Sequence, residues 1–275
     1  KDSYLNEAAI ISAAELSGAD AIYPGFGFLA ENASFAEKCR ESGFKFIGPD
    51  PEVIAIMGDK IKAKELAKSL NIPVVPGYEG EISTENEAIK IVEEIGYPVI
   101  IKASAGGGGR GMRVVNSSDD LWQSIQSAQN EAELAFGDGK IFIEKYLKKP
   151  RHIEVQIFGN GKGEAVHLFT RDCSLQRKYQ KIVEEAPALN IDNQKLEEIQ
   201  NLSVEACKKL NYEGAGTIEF LYENNDFYFI EMNTRIQVEH TVTEMITGVD
   251  LVQAQLLLAL ENKYDFKQED LKVNG

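Results

Sequence analysis

Apolar residues along the chain follow helical and strand periods in turn, and each stretch ends at a turn signal. Over residues 1–57 they predict a helix (about 5–16), a strand (19–23), a helix (near 32–42) and a strand (44–48). This alternation is typical of a parallel, doubly wound sheet. Because such a sheet needs a strand before its first helix, we expect the chain to be a fragment.

A second region begins at residue 58, where Asp59 can cap a helix that runs to about residue 70. Beyond it, helical and strand periods alternate around a run of glycines. We expect a small α+β unit at about 74–146, with helices at 85–95 and 119–135 and strands at 97–103, 112–115 and 141–146.

From Arg151 onward, apolar and polar positions alternate along successive segments. They predict an antiparallel sheet covered by helices, with strands at 152–159, 164–172, 216–222 and 227–232 and helices at 194–210 and 249–260. The predicted fold class is α/β (α+β), with a partial doubly wound N-terminal domain at 1–57 and a second domain at 58–275.

Composition narrows the possible partners. The chain has 275 residues, and its 29 Lys and Arg against 44 Asp and Glu leave a net charge of −15. This charge argues against nucleic acid or an anionic membrane as the main partner, so an anionic substrate needs a local basic cluster. Three scattered cysteines without metal spacing, no membrane-span-length apolar run and no signal peptide predict a cytoplasmic protein.

The most informative polar segment is 231–240, which follows an apolar strand. Two oxygen ligands for a hard cation, one planar cation and one candidate base lie within nine residues. We interpret the segment as a phosphate and metal site. For this segment alone, the alternative is a solvated strand end followed by a loop.

Four glycines, 106–109, lie in a loop between two predicted strands, whereas a Walker loop or Rossmann turn leads into a helix. A glycine hairpin lets successive N–H groups face one anion and can hinge, which suits a lid over a polyphosphate. Lys102 precedes the loop on an apolar strand, where an unpaired ammonium is costly, and a phosphate is the simplest partner. A surface hairpin without a ligand is the alternative.

Glu219 and Glu231 lie on two predicted strands joined by residues 223–226, whose types favour a hairpin turn. A three-residue turn places the two carboxylates opposite each other, whereas a two-residue turn separates their faces. Opposed carboxylates repel unless a cation lies between them, and Mg²⁺ bridging nucleotide phosphates is the natural occupant. Alternatively, one glutamate is solvated and the other caps a neighbour.

Two further motifs have both a structural and a functional interpretation. The run 171–181 carries four cations, for which a solvated charged loop is the usual explanation. Residues 25–30 match the G-x-G-x-x-A dinucleotide pattern after a strand and before a helix. Pro24 and two phenylalanines argue against a turn that approaches a pyrophosphate, and we favour a structural turn there.

Taken together and in order, these motifs resemble one family over essentially the whole chain. The segments that carry the resemblance are 24–28 (Pro-Gly-Phe-Gly-Phe), 57–60 (Met-Gly-Asp-Lys), 101–104 (Ile-Lys-Ala-Ser), 144–147 (Glu-Lys-Tyr-Leu), 150–154 (Pro-Arg-His-Ile-Glu), 171–174 (Arg-Asp-Cys-Ser) and 231–240. They are similar to the biotin carboxylase component of acetyl-CoA carboxylase and its relatives, which are ATP-grasp enzymes.

The resemblance implies an ATP-grasp fold for 58–275, with 74–146 as its lid. It implies that MgATP and bicarbonate give carboxyphosphate, whose CO₂ passes to biotin on a carrier protein. The implied ATP contacts are Lys60, Lys102 and His152 on phosphates or ribose, Gly107, Gly108 and Gly109 over the phosphates, Glu144, Lys145 and Leu147 around adenine, Met112 and Leu221 as apolar walls, and Gln176 on the ribose.

The resemblance also assigns a metal, an anion and a base: Mg²⁺ or Mn²⁺ to Glu219, Glu231 and Asn233, bicarbonate to Lys181, Arg235, Gln237 and the Val238 backbone, and the general base to Glu239. An unperturbed Glu is a poor base at neutral pH. Lys181 and Arg235 would favour the bicarbonate dianion while positioning it for in-line attack. Arg235 could then stabilise charge on the biotin ureido oxygen.

The chain departs from the family pattern at several points. Tyr179 stands where many relatives have His, although a phenol can still donate a hydrogen bond. The family's C-terminal domain, which completes the biotin pocket and much of the dimer contact, is missing, and so is the Ala-Met-Lys-Met carrier tetrapeptide. From the resemblance, we expect the full-length protein to be a homodimer that acts on a biotin carboxyl carrier protein or domain in fatty-acid synthesis. We expect this fragment to be monomeric, with little biotin carboxylation.

Two functional alternatives remain at the level of the sequence. One is another ATP-grasp carboxylate–amine ligase, which shares the acyl-phosphate chemistry but uses an amine acceptor. The other is a module that binds MgATP without turnover.

Overall fold

The computed structural model describes residues 3–78, 80–103, 112–137, 139–178 and 180–274. The chain divides into two compact units. The larger comprises Lys1–Val74 with Pro150–Gly275, and the smaller comprises Val75–Lys149.

The N-terminal part of the larger unit consists of helices around a short parallel sheet. Its elements are α1 (Glu7–Ser17), β1 (Ala21–Ile22), α2 (Ala33–Glu41), β2 (Lys45–Phe46), α3 (Pro51–Gly58) and α4 (Lys60–Ser69). β1 and β2 pair in parallel, as the alternating pattern predicts. Asp59 caps α4 as predicted, by accepting from the N–H groups of Ile61 and Lys62. The sequence prediction missed α3, although Asp50 before Pro51 is a helix-start signal.

The smaller unit packs two helices on a four-stranded antiparallel sheet. Its elements are β3 (Gly77–Tyr78), α5 (Glu85–Ile95), β4 (Val99–Ala103), β5 (Arg113–Val115), α6 (Leu121–Phe136) and β6 (Ile141–Lys145). The strand order is β3-β6-β4-β5. Ile101 and Ile143 of the sheet and Leu121 and Ile125 of α6 are fully buried in one core. The α+β arrangement predicted for this region is therefore present.

The rest of the larger unit is built on a five-stranded antiparallel sheet. Its elements are β7 (Arg151–Asn160), β8 (Ala165–Arg177), β9 (Gln180–Glu185), α7 (Asn193–Lys209), β10 (Glu213–Glu223), β11 (Asp226–Asn233), α8 (His240–Thr247) and α9 (Leu251–Glu261). The strand order is β11-β10-β7-β8-β9. β7, β8, β10 and β11 match the predicted strands, with longer β8 and β10.

The two faces of this sheet carry different residues. Ile153, Val155 and Ile157 of β7 are fully buried in the core that also includes α7. Because side chains alternate across a strand, Glu154 and Gln156 lie on the opposite face, where both are also fully buried. A buried polar face needs internal partners, since water is not there to supply them.

The segment 171–181 is not a solvated loop along its length. β8 continues to Arg177, and β9, which the sequence prediction missed, pairs back onto it. Most residues of β9 are exposed, so the strand lacks the apolar alternation on which the prediction depended. Charged residues at the edge of a sheet are a common protection against pairing with other chains.

Within the described residues, no single helix is long and apolar enough to cross a membrane. Only α8 and α9 taken together, with a bend of 91° between them, meet that length and composition.

Candidate active site

A row of charged side chains crosses four neighbouring strands on the polar face of the large sheet. The strand register pairs Glu231 of β11 with Glu219 of β10, Glu219 with Glu154 of β7, and Glu154 with Arg171 of β8. Residues paired laterally point to the same face of a sheet, so the row places three carboxylates side by side. Such a row is stable only if cations neutralise it.

The pairing of Glu219 with Glu231 shows that the two carboxylates oppose each other. From the sequence, we expect a three-residue turn for this arrangement, and the turn in the structure is different. The hairpin has a two-residue Asn-Asn turn in the left-handed conformation. Phe220 pairs with Phe229 while Glu219 pairs with Glu231, which leaves Ile230 as the extra residue of a β-bulge. The bulge restores the register that a two-residue turn alone would lose.

Lys181 of β9 supplies one of the neutralising cations. Its ammonium donates to Glu154, to Glu219 Oε1 at 3.0 Å and to Glu239 Oε1 at 2.6 Å. The carboxylates outweigh the effect of burial and raise the Lys181 pKa above its ordinary value. Lys181 therefore stays charged and connects the predicted base, Glu239, to the row.

Arg171 supplies the second cation from within the row, on β8, with no exposed surface. Its Nε and Nη2 atoms donate to Glu154 Oε2 at 3.1 and 2.9 Å. Its other donor contacts are neutral oxygens: Gln156 Oε1 at 2.6 Å, Thr243 Oγ1 at 2.9 Å, Thr217 Oγ1 at 3.2 Å and Gln237 Oε1 at 2.8 Å. Every nitrogen of the guanidinium has an acceptor, as a fully buried arginine requires.

His152 is the third cation. Its Nε2 atom lies 2.9 Å from Glu219 Oε2 and 3.4 Å from Glu154 Oε1, without the alignment of a hydrogen bond. Burial lowers the His152 pKa, but the two carboxylates outweigh it and raise the pKa to about 9. Burial also raises the Glu154 pKa, and His152, Arg171 and Lys181 outweigh it and hold that pKa far below its usual range.

Glu231 is the carboxylate that these cations leave least compensated. Burial raises its pKa, the charge of Glu219 raises it further, and Lys60 opposes them only in part. Lys60 lies in the first turn of α4 and is exposed. Buried Arg171 and half-buried Lys181 and His152 balance the charges of Glu154, Glu219 and Glu239, so Glu231 favours an additional cation.

The segment after β11 brings the predicted anion ligands to the same row. Asn233 Nδ2 and Gln237 Nε2 each donate to Glu219 Oε1 at 2.8 Å. Arg235 donates through Nη2 to Asn233 Oδ1 at 2.8 Å. Because Arg171 occupies Gln237 Oε1, the amide of Gln237 presents its donors to the site, as an anion ligand must.

The oxygen donors of the row have the chemistry of a magnesium site. Glu219 and Glu231 are hard ligands at paired positions, and burial together with the charge of Glu219 raises the pKa of Glu231, an effect that a bound cation would oppose. The amide oxygen of Asn233 would have to turn from Arg235 to complete the predicted set. A neighbouring set, His152, Glu154 and Glu219, has ligand atoms within 4.8 Å of one another.

In the smaller unit, Lys102 is not unpaired as the sequence suggested. Its ammonium donates to Glu144 Oε2 at 2.7 Å across the β4–β6 pair. Lys145 Nζ donates to the carbonyls of Gly96 and Tyr97, at 2.8 Å each, which fixes the strand end. Because Lys102 already has the Glu144 carboxylate as a partner, the argument that it needs a phosphate is weaker.

The remaining predicted site residues differ in exposure. Gln176 is half-buried and donates to the Cys173 carbonyl at 2.8 Å, and Leu221 is half-buried on β10. Met112 and Val238 are exposed, and Leu147 is half-buried. Gly107, Gly108, Gly109 and Tyr179 lie outside the described residues, so the predictions for them stay predictions.

The sequence prediction missed two members of the row, Glu154 and Arg171. Both residues lie in motifs that carry the family resemblance, but neither is assigned a role from the sequence. Alternation on β7 marks Glu154 only as the polar neighbour of Ile153 and Val155. The available signal was the alternate spacing of His152, Glu154 and Gln156, which places all three on one face.

Comparisons with known proteins identify the family of the chain. Residues 59–267 match the family model described as the ATP-binding domain of the carbamoyl-phosphate synthase L chain, and residues 1–54 match the biotin carboxylase N-terminal domain. The chain is 57% identical over 274 residues to the biotin carboxylase of Haemophilus influenzae, covering 99% of this chain and 61% of that protein. The chain belongs to the biotin carboxylase family.

Solved structures of the family have the same fold. The chain matches the Campylobacter jejuni biotin carboxylase–β-γ-ATP complex with a TM-score of 0.86, at 50% identity over all of this chain and 62% of that one. It matches the biotin carboxylase domain dimer of Hydrogenobacter thermophilus 2-oxoglutarate carboxylase, in complex with MgADP, ADP and bicarbonate, with a TM-score of 0.85. That match has 49% identity over all of this chain and 61% of that one. The fold of the chain is therefore an ATP-grasp fold.

The relatives are longer than this chain and belong to different enzymes. The chain spans about three fifths of the length of the relatives named above. A further relative, at 50% identity over 99% of this chain and 56% of its own length, is a pyruvate carboxylase subunit of Methanothermobacter thermautotrophicus. Family membership therefore does not select the final acceptor.

The charged row makes a quantitative prediction about stability. Arg171→Met leaves Glu154 buried without its main partner and should lower the free energy of unfolding by about 3–5 kcal/mol. The double variant Arg171→Met/Glu154→Gln should lose much less than the sum of the two single variants. Urea unfolding followed by circular dichroism measures this, since the only tryptophan, Trp122, lies in the other unit.

Glu131→Gln is the matched control, because the Arg113–Glu131 pair has a similar distance of 3.0 Å but is exposed. It should change stability by less than about 1 kcal/mol. Additive losses from Arg171→Met and Glu154→Gln would contradict the assignment of the two residues to one buried pair.

Proposed function

We propose that this chain carries the ATP- and bicarbonate-dependent half of a biotin carboxylase. The observation that supports it is the neutralised carboxylate row, where a predicted base, Glu239, shares the Lys181 ammonium with a predicted metal ligand, Glu219. The residues proposed as the base, a metal ligand and anion donors lie within hydrogen-bond distance of one another through Lys181 and Glu219. Such an arrangement suits phosphoryl transfer to a small oxyanion.

The proposed reaction has two steps. Bicarbonate attacks the γ-phosphorus of ATP, the bond to the β-phosphate oxygen breaks, and carboxyphosphate and ADP form. Carboxyphosphate then releases CO₂ and phosphate, the ureido nitrogen of biotin gives its proton to that phosphate, and the nitrogen attacks the CO₂ to form carboxybiotin. The family resemblance, rather than a biotin contact in this chain, supports the second step.

Residues of both units would take part in ATP binding. In the larger unit we propose Lys60, His152, Gln176 and Leu221, and in the smaller unit Lys102, Met112, Glu144, Lys145, Leu147 and the glycines 107–109. The family resemblance supports this set, and ATP binding would have to compete with the Lys102–Glu144 pair at 2.7 Å. We place the boundary between the N-terminal and ATP-grasp domains at 57/58, and the lid at about 74–146.

Glu219, Glu231 and Asn233 would hold Mg²⁺ or Mn²⁺, whose role when bound is to neutralise charge on the ATP phosphates. The uncompensated charge of Glu231 supports this assignment. The amide of Asn233 would turn its oxygen from Arg235 toward the metal.

Bicarbonate would bind between the donors of Lys181, Arg235, Gln237 and the Val238 N–H. Gln237 offers Nε2–H because Arg171 holds its oxygen, and Lys181 stays protonated among carboxylates. These donors favour the dianion over bicarbonate, which lowers the demand on the base. Glu239 takes the proton, at a carboxylate already 2.6 Å from Lys181.

The full-length protein would act on a biotin carboxyl carrier protein or domain as a cytoplasmic homodimer. The dimer of the Hydrogenobacter thermophilus domain supports the assembly, and three buried free cysteines support a reducing compartment. We propose acetyl-CoA carboxylase in fatty-acid synthesis as its enzyme, on the strength of the sequence resemblance, with pyruvate and 2-oxoglutarate as the competing acceptors.

Bicarbonate should stimulate ATP hydrolysis by this protein in the presence of Mg²⁺, and Glu239→Gln should abolish that stimulation. The reason is that Gln cannot take a proton, which costs about 10²–10⁴-fold in a general-base step. Phosphate release with and without bicarbonate measures the effect. Glu205→Gln, on the exposed face of α7, is the control and should leave the stimulation unchanged.

Hydrolysis that bicarbonate does not change, with ATP still bound, would replace this proposal with a nucleotide-binding module. Stimulation by an amine rather than by bicarbonate would favour a carboxylate–amine ligase.

Glu231→Gln tests the metal assignment separately from activity. It should weaken Mn²⁺ binding in the presence of ADP by about tenfold or more, and it should raise the unfolding temperature of the metal-free protein. The sign of the second effect follows from the raised pKa of Glu231, since its ionised form opposes folding at neutral pH. Electron paramagnetic resonance and thermal unfolding measure the two effects.

Asp226→Asn, an exposed position at the start of the same strand, is the control for both measurements. Unchanged Mn²⁺ affinity in Glu231→Gln would remove Glu231 from the metal site.

A further inference from the structure

Glu31 connects the N-terminal part of the larger unit to the segment that follows β11. It lies just before Asn32, the residue that caps α2. Its Oε2 atom accepts from Arg235 Nε at 2.8 Å, and its Oε1 atom accepts from the backbone N–H of Thr234 at 3.0 Å. One carboxylate therefore holds both the main chain and the side chain of adjacent residues that are 203 and 204 positions away in the sequence.

The contacts of Glu31 leave a specific part of Arg235 for other partners. A guanidinium has two edges for bidentate contacts, one formed by Nε with an Nη and the other by the two Nη atoms. Glu31 occupies the Nε side. The Nη atoms meet neutral oxygens, Asn233 Oδ1 at 2.8 Å and the Ile236 carbonyl at 3.2 Å.

The side chain of Glu31 is 38% exposed and that of Arg235 is 21% exposed, so the ion pair by itself resembles a surface pair. Exposed pairs are weak because two long side chains must be held in one geometry. Here Thr234 is buried at 2% exposure, and its N–H fixes the Glu31 carboxylate in place independently of Arg235. The carboxylate is thus oriented by the backbone, and this orientation in turn fixes the guanidinium.

We propose that Glu31 is a positioning residue that holds Arg235 by its Nε side and so directs the Nη atoms toward the oxyanion substrate. This inference rests on the proposed function, in which Arg235 binds bicarbonate. Glu31 would not touch bicarbonate itself and would act only through Arg235.

The effect of Glu31→Gln has opposite signs under the two possible roles of this residue. As a neighbouring negative charge, Glu31 repels an anion, and its neutralisation should strengthen bicarbonate binding. As a positioning residue, its loss leaves Arg235 free to rotate, and binding should weaken. The lost contact is a charge-assisted hydrogen bond, so we expect about tenfold weaker binding.

Glu31→Gln is suited to this test because it separates the two contacts. The amide oxygen of Gln can still accept from the Thr234 N–H, so the backbone contact is kept. The amide nitrogen cannot accept from Arg235 Nε, so the guanidinium loses its charged partner. Glu37→Gln, which breaks the exposed pair of Glu37 with Arg40 on α2, is the matched control.

The experiment measures the dissociation constant of ¹³C-bicarbonate from the MgADP-loaded protein, together with ATP affinity and thermal unfolding. We expect Glu31→Gln to weaken bicarbonate binding about tenfold, with unchanged ATP affinity and little change in unfolding temperature. Glu31→Asp, which restores the charge, should recover part of the loss. In an Arg235→Lys background, Glu31→Gln should have no further effect.

Unchanged or tighter bicarbonate binding in Glu31→Gln would overturn the positioning role. A loss of equal size in the Arg235→Lys background would also overturn it, because Glu31 would then act by another route. If the wild-type protein binds bicarbonate without stimulated hydrolysis, the proposed function fails while this comparison still decides the role of Glu31. If the wild-type protein does not bind bicarbonate, both fail.

Discussion

The site depends on one electrostatic constraint, which is the cost of placing Glu154 with no solvent exposure in the middle of a sheet. Arg171 on one side and Lys181 on the other remove that cost, and their contacts extend to Gln237 and Glu239. The same interactions that keep a buried carboxylate tolerable therefore determine which atoms the site presents to a substrate. Stability and function share one network, so most variants of it will change both.

The network also explains why the proposed metal and bicarbonate ligands lie together. Three cations balance Glu154 and Glu219 of the sheet and Glu239 at the start of α8, and Glu231 remains at the end of the row beside the segment that carries Asn233 and Arg235. A hard cation is favoured at that end. The donors of Lys181 and Gln237 favour an anion next to it. A cation site beside an anion site is what a reaction between MgATP and bicarbonate requires.

The sequence predicts much of this arrangement, and the failures have physical causes. The helix at 85–95 and the cap at Asp59 follow from local patterns, and each is present. Glu219 and Glu231 oppose each other, but through a two-residue turn with a bulge rather than through the three-residue turn on which that prediction depended. Strand β9 is an exposed edge whose apolar pattern is weak, and no turn residue signals the bulge at Ile230. Glu154 and Arg171 form a pair only through register between strands, which no local window contains. The resemblance to a family supplied the chemistry of the individual residues, whereas the contact of Glu31 with Arg235 required coordinates.

The most direct test of this account asks whether metal and bicarbonate occupy adjacent positions on the row. The measurement is the nuclear relaxation of ¹³C-bicarbonate in the presence of the protein, ADP and Mn²⁺, a paramagnetic substitute for Mg²⁺. We expect relaxation to be strongly enhanced when all three are present and to return to the free value when excess Mg²⁺ displaces Mn²⁺. Bicarbonate that binds the protein without paramagnetic enhancement would place the anion away from the metal and contradict the shared site.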